Sequence, residues 1–227
     1  MRTLGLLGGM SAESTTTYYQ ALNQQVRERL GGLHSAQLVL WSVDFAPIAA
    51  MQAEGDWDGA GAALAEAAAR LEGAGAEAIL LCTNTMHKVA PAIEARVGIP
   101  LIHIGDATAR AVRARGCSRP LLLATRFTME QDFYKDRLRG HGVEPLVPDQ
   151  ADRDRLHAII YDELCQGVVD VGSKRQALAM IAKATGADSV IFGCTEVGLL
   201  LSQADIERPV IDSTLVHVEA GVDFMLG

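Results

Sequence analysis

The chain lacks most of what marks a nucleic-acid binder, a membrane protein or a disulfide scaffold. Lys and Arg number 20 against 28 Asp and Glu, for a net charge of −8, and they form no dense tract. A polyanion finds no electrostatic footprint here, so nucleic acid is excluded as a partner. No apolar run reaches the roughly 18 residues that cross a bilayer, which excludes a membrane partner. The opening Met1-Arg2-Thr3-Leu4-Gly5-Leu6-Leu7 is too short and too glycine-broken for a secretory leader, so a cytoplasmic protein is expected. Cysteine is scarce: Cys82, Cys117, Cys165 and Cys194 form no C-x-x-C pair, and no His stands near them at zinc-finger spacing. Neither a disulfide framework nor a metal site is expected. Only Lys88, Lys135, Lys174 and Lys183 carry an amine, and no phosphate cup accompanies them, which argues against a pyridoxal-phosphate enzyme. Neither G-x-G-x-x-G nor G-x-x-x-x-G-K-[ST] occurs, so Gly8-Gly9 reads as a turn or a place of close backbone approach to a small ligand.

What is present is ordinary globular material, 49% hydrophobic and 21% charged, in a chain of 227 residues. That length holds one large domain or two of about 110 residues. Short apolar runs at 4–7, 36–43, 78–81 and 100–104 alternate with helical patterns at 14–30, 60–71, 91–96 and 107–115. The order βαβαβαβ predicts a parallel sheet covered by helices. It then recurs: strands at 120–124, 143–147 and 190–192, helices at 129–139, 154–166 and 175–185, and Arg208-Pro209-Val210-Ile211-Asp212 answering Ile99-Pro100-Leu101-Ile102-His103. The expectation is two pseudosymmetric three-layer α/β halves, 1–116 and 117–227, with the last helix free to cross back. Each half has a mostly parallel sheet. Ligands of open α/β sheets sit beyond the carboxyl ends of the strands, so the site is expected in the cleft between the halves.

Two strand ends match best. Gly75-Ala76-Glu77-Ala78-Ile79-Leu80-Leu81-Cys82-Thr83-Asn84-Thr85 recurs in altered form as Gly186-Ala187-Asp188-Ser189-Val190-Ile191-Phe192-Gly193-Cys194-Thr195-Glu196. Without a gap, Thr83 falls opposite Cys194; a slip of one residue pairs Cys82 with Cys194 instead. Cys194 follows a buried-strand pattern and precedes a plausible helix start. Either it is a packed turn residue, or the helix dipole lowers its pKa toward a reactive thiolate. Thr83 reads as a cap hydroxyl or a reacting group, Cys82 as a core thiol by strand alternation, and His87 and Lys88 as helix-surface residues or neighbours of the site.

Gly5-Leu6-Leu7-Gly8-Gly9-Met10, Thr83-Asn84-Thr85-Met86-His87 and Gly193-Cys194-Thr195-Glu196 resemble the aspartate/glutamate racemase family. So do Thr128-Met129, Asp132-Phe133-Tyr134 and Tyr161-Asp162-Glu163-Leu164. The resemblance implies a cofactor-independent enzyme, without pyridoxal phosphate or metal, acting on a small amino-acid substrate and assembling as a homodimer. It implies two-base chemistry, with Cys194 and Thr83 on opposite faces of the substrate α-carbon. Asn84, Thr85 and Thr195 match its carboxylate-binding positions, and Met10, Thr125 and Thr128 are weaker carry-overs from the surrounding loops. The chain departs from the family pattern in reading T-N-T where two-cysteine members read C-N-T. It also has Met51, Gln52 and Cys165 in segments where some aspartate-selective members look to have Arg and Lys. Gln52 is therefore assigned to substrate binding, and glutamate, homoserine or a broader set of amino acids becomes credible. Two other readings compete: a one-thiol isomerase or decarboxylase of a small diacid, and a ligand-binding homologue with impaired catalysis.

Overall fold

The computed structural model describes residues 1–227, which form two compact units. The first comprises Met1–His103 and His217–Gly227. Its elements run β1 (Leu4–Gly8), α1 (Ala12–Leu30), β2 (Leu38–Ser42), α2 (Phe45–Glu54), α3 (Trp57–Gly73), β3 (Ala78–Leu81), a one-turn 3-10 segment (Thr85–Val89) and α4 (Ala90–Arg96). The second unit, Ile104–Val216, holds α5 (Ile104–Ala114), β4 (Pro120–Leu123), α6 (Arg126–Glu130), α7 (Asp132–Gly140), α8 (Gln150–Ala158), α9 (Val171–Lys183), β5 (Ser189–Phe192), α10 (Val197–Leu200) and β6 (Val210–Asp212). The final helix, α11 (Ser213–Leu226), starts in the second unit and belongs to the first from His217 onward.

Each unit has one parallel three-stranded sheet, ordered β2-β1-β3 and β4-β5-β6. Single bridges extend both: Ile79 pairs with Leu101 beyond β3, and Leu121 with Leu146 beside β4. The two sheets thus share one order of positions, second-first-third-fourth in chain sequence. The expected strands at 100–104 and 143–147 are these bridges and no more. Pro100 lacks the amide a longer ladder needs.

Strand alternation builds the layers of the first unit. Leu7, Ile79 and Leu81 point to a cluster with Ile48, Leu64, Ala68, Leu71 and Ile93 from α2, α3 and α4. Leu4, Leu6, Ala78, Leu80 and Cys82 point the other way, against Tyr18, Leu22 and Val26 of α1 and Val218, Val222 and Met225 of α11. Each fully buried leucine is worth about 1.5–3 kcal/mol. This also places Cys82 in the core, where burial pushes its thiol pKa up.

Several helices differ from their sequence patterns. The helix expected over 129–139 is two, because Gln131 is extended (φ −83°, ψ 152°) between α6 and α7. The one expected over 154–166 starts earlier, at an Asp149 N-cap, and ends in a widened turn, Ile159–Glu163, and a 3-10 turn, Leu164–Gln166. Segment 104–116, expected with the first half, groups with the second. There Arg137 makes a bidentate bridge to Asp106 at 2.6 and 2.7 Å, and the Tyr134 hydroxyl donates to Thr108 at 3.1 Å.

His217 is fully buried in the first unit. Its Nε2–H donates to the Ile102 carbonyl at 2.6 Å, so its Nδ1 accepts from the Tyr18 hydroxyl at 2.8 Å. Burial lowers its pKa to about 3. The unfolded chain, with an ordinary value near 6.5, takes up this proton first as pH falls. The stability held by neutral His217 is therefore complete above about pH 6.5 and drains away down to about pH 3. Denaturant unfolding followed from pH 7 to pH 4 should weaken. His217→Gln should flatten that slope by up to one proton, about 1.4 kcal/mol per pH unit; an unchanged slope would contradict it.

Candidate active site

The sheets decide the register of the two strand ends. Leu7 pairs with Leu81, and the Cys82 N–H donates to the Leu7 carbonyl at 2.9 Å. Leu123 pairs with Phe192, and the Gly193 N–H donates to the Leu123 carbonyl at 2.8 Å. Cys82 is thus equivalent to Gly193, and Thr83 to Cys194. The same relation holds at the strand starts, where Glu77 accepts from the Thr3 amide and Asp188 from the Arg119 amide. It continues past the strands: His87 N–H donates to Asn84 O at 3.1 Å, and Gly198 N–H to Thr195 O at 3.2 Å. A side chain at Gly193 would crowd Leu122 and Ala124, so glycine fits closely beside Cys194.

Cys194 is partly exposed, and its Sγ–H donates to a Glu196 carboxylate oxygen at 2.9 Å. Burial, then the neighbouring Glu196 charge, push the thiol well above its ordinary value. The sequence pattern suggested the opposite shift. α10 is a single turn that begins only at Val197, too short a dipole to offset a carboxylate in hydrogen-bond contact. At rest Cys194 is a thiol, with a buried base in place to accept its proton. Around it stands Tyr161, whose hydroxyl pKa is raised by burial and then by Cys194, Cys165 and Glu196. The Tyr161 ring lies tilted against His157 at 4.5 Å, and His157 meets Phe127 edge-on at 5.9 Å. Thr195 is hydrogen-bonded hydroxyl to hydroxyl with Thr214 at 3.1 Å.

The Thr83 segment is built differently. Thr83 is partly exposed, whereas Asn84 and Thr85 are buried behind it. Its carbonyl accepts from His87 Nδ1 at 2.7 Å. His87 is no surface residue: it is buried, while Lys88 beside it lies 3.8 Å over the Trp57 ring. Gln52, also buried, directs its amide to the Met86 sulfur at 2.7 Å. Met10 packs into the apolar cluster with Leu7, Ile48 and Met86. The loop before α1 is shaped by Thr15, whose hydroxyl accepts from the Gly9 amide and donates to the Ser11 carbonyl, each at 2.7 Å.

In the second unit Thr125 caps α6, its hydroxyl 3.3 Å from that of the fully buried Thr128. Each unit thus gathers its share of the expected residues at the carboxyl end of its own sheet: Met10, Gln52 and Thr83 to Thr85 in the first, Thr125, Thr128, Cys194 and Thr195 in the second. Sequence reasoning passed over Glu196 and Tyr161 as site residues and left His87 as either a surface residue or a neighbour of the site. All three stood inside the quoted motifs; Glu196 and His87 lie within four positions of a reacting residue, whereas Tyr161 reaches Cys194 only through the fold.

Residues 7–221 match the profile of the Asp/Glu/hydantoin racemase family. The chain belongs to that family. Among relatives of this racemase-family chain, the broad specificity amino-acid racemase RacX of Bacillus subtilis is 25% identical over 232 residues, covering 98% of both chains. A Yersinia pestis crystal structure assigned provisionally to the Asp/Glu racemases superposes with a TM-score of 0.94 at 50% identity, covering all of both chains. PH1733, an aspartate racemase homologue from Pyrococcus horikoshii, gives 0.88 at 33%, again over both whole chains. The fold of two α/β halves is that of the family.

Proposed function

We propose that this chain inverts the α-carbon of free amino acids without pyridoxal phosphate, Cys194 serving as acid/base on one face of the substrate and Thr83 on the other. The observation that carries the proposal is the hydrogen bond from the Cys194 thiol to Glu196, at a position whose structural repeat is Thr83. The thiol proton passes to Glu196, and the resulting thiolate takes the α-proton. The electron pair left on carbon spreads into the substrate carboxylate, where hydrogen bonds from Asn84, Thr85 and Thr195 hold the developing charge. Reprotonation on the opposite face runs through the Thr83 hydroxyl, which takes a proton from water as it gives one to carbon, and yields the opposite enantiomer; Glu196 returns its proton to solvent.

A threonine hydroxyl gives a proton more readily than it takes one at neutral pH. Thr83 therefore suits reprotonation, and turnover is slower in the direction that must begin with it. A catalyst leaves the equilibrium untouched, so this asymmetry resides only in rates. Thr83→Cys should raise kcat in the slower direction on the order of 10-fold or more, the scale of a better-matched acid/base. An unchanged rate would remove Thr83 from this role.

Gln52 and Cys165 offer no fixed cation for a side-chain carboxylate, which supports a range of substrates rather than aspartate alone. The test is a chiral-product assay over the common L- and D-amino acids with no added cofactor. Inversion of several is expected; inversion of none would refute the proposal.

A further inference from the structure

The repeat that relates the two strand ends also breaks at a pair of positions beyond them. Ile79 and Val190 are equivalent in the sheets; Ile79 pairs with Leu101 and Val190 with Val210, so His103 corresponds to Asp212. The matching amide bonds make His87 correspond to Gly198. In the second unit Gly198 stands so close to Asp212 that an added side-chain carbon would lie 3.0 Å from the carboxylate, and Asp212 is engaged in capping Thr214 and Leu215 at the start of α11. In the first unit the same two positions hold imidazoles with ring centroids 4.5 Å apart, and a third ring, His217, lies 5.6 Å from His87.

Three buried imidazoles thus meet edge to face in the first unit, and one of them bonds Thr83. They do not form a metal site: no group of three His, Cys, Asp or Glu side chains is placed to share an ion. The ring that faces the reacting residue is His87. A carbonyl oxygen carries no proton, so at 2.7 Å His87 Nδ1 is the donor and Thr83 O the acceptor. That bond spans four residues and ties the carbonyl of the partly exposed Thr83 to a ring wedged between His103 and His217. The far end is anchored in turn, since His217 is held by Ile102 and Tyr18. The Cys194 carbonyl accepts instead from a backbone amide, that of Val197 at 3.1 Å, and its thiol has a carboxylate partner.

We propose that His87 is the positioning residue for Thr83. By holding the Thr83 carbonyl it sets the direction of the Thr83 hydroxyl, the acid/base that has no basic partner and depends most on placement. The inference rests on the racemase reading above. It predicts that loss of the His87 donor uncouples the two halves of the reaction. Cys194 still exchanges the α-proton of the enantiomer it deprotonates, while inversion fails because the opposite proton arrives badly aimed.

The experiment follows the α-proton by NMR in deuterated water, with chiral analysis of the same samples, for wild type, His87→Leu and His87→Asn. The asparagine amide places a donor where the imidazole holds Nδ1. In His87→Leu, inversion should fall at least about 30-fold and exchange on the Cys194 face less than about 3-fold. His87→Asn should regain inversion to within about 5-fold of wild type, with KM little changed in both. Exchange and inversion falling together in a folded His87→Leu, or His87→Asn doing no better than leucine, would overturn the proposal. If leucine prevents folding, the asparagine variant decides alone, with inversion near the wild-type rate expected and a loss above 30-fold contrary. A wild-type protein that exchanges no amino-acid α-proton would instead remove the racemase reading, and this inference with it.

Discussion

Cys194→Ala is expected to abolish exchange of the substrate α-proton with solvent, on both enantiomers, by at least about a thousandfold. An acid/base in the transition state contributes about 10²–10⁴-fold, and alanine removes the group altogether. Hydroxyls such as Thr83 are too weak as bases to replace it. Cys165 is a second thiol that acts on Cys194 electrostatically. The companion variant Cys165→Ser should therefore stay within a few-fold of wild type. The measurement is loss of the α-proton NMR signal in deuterated water, on a variant shown to be folded by its thermal transition. Exchange retained within about tenfold in Cys194→Ala would sink the proposed mechanism, whatever the other residues do.

The second large effect concerns Glu196. Its carboxylate accepts the Cys194 thiol proton at 2.9 Å and, after burial, does most to hold that thiol protonated. Glu196→Gln keeps the shape and removes both the charge and the base. The two consequences have opposite signs. Turnover at neutral pH should fall about 10²–10³-fold, within the range of a lost general base. The thiol itself should titrate at lower pH, because a like charge beside it has gone. Alkylation of Cys194 by iodoacetamide, followed against pH, reads the second change directly. Slower turnover with the thiol titration unmoved would make Glu196 a packing residue only.

Much of the fold was legible because its causes are local. The runs at 4–7, 78–81, 120–124 and 190–192 are short, apolar and bounded by glycine, acid or small polar residues, and all became central strands buried on both faces. The helix Phe45–Glu54 was not foreseen, since its apolar residues follow no 3.6 period and Pro47 stands in its first turn. Strands expected at 100–104 and 143–147 shrank to single bridges because a strand at a sheet edge lasts only as long as its neighbour offers partners.

The candidate site divides along the same line. Cys194, Thr83 and the hydroxyl and amide residues around them are recognisable from residue type at the ends of repeated strands. Their electrostatics are not. The helix-start pattern after Cys194 suggested an acidic thiol, but burial first, and then the carboxylate two residues on, raise its pKa, and one turn of helix does not offset them. His87 read as surface or as a neighbour of the site, since nothing local shows that His103, sixteen positions on, and His217, at the far end of the chain, close over it.

By itself the sequence determined two α/β halves of common descent in pattern, and a thiol at the end of one strand answering a hydroxyl at the end of the other. Strand ends of this kind are written in contiguous residues, and contiguous residues share their neighbours in any fold. Only the tertiary structure supplied the ladder bonds that fix the register of Thr83 against Cys194, the raised pKa of the thiol and the cluster of histidine rings around His87. Each depends on ladder bonds, burial and ring contacts between residues distant in the chain, whose distances exist only once it has folded.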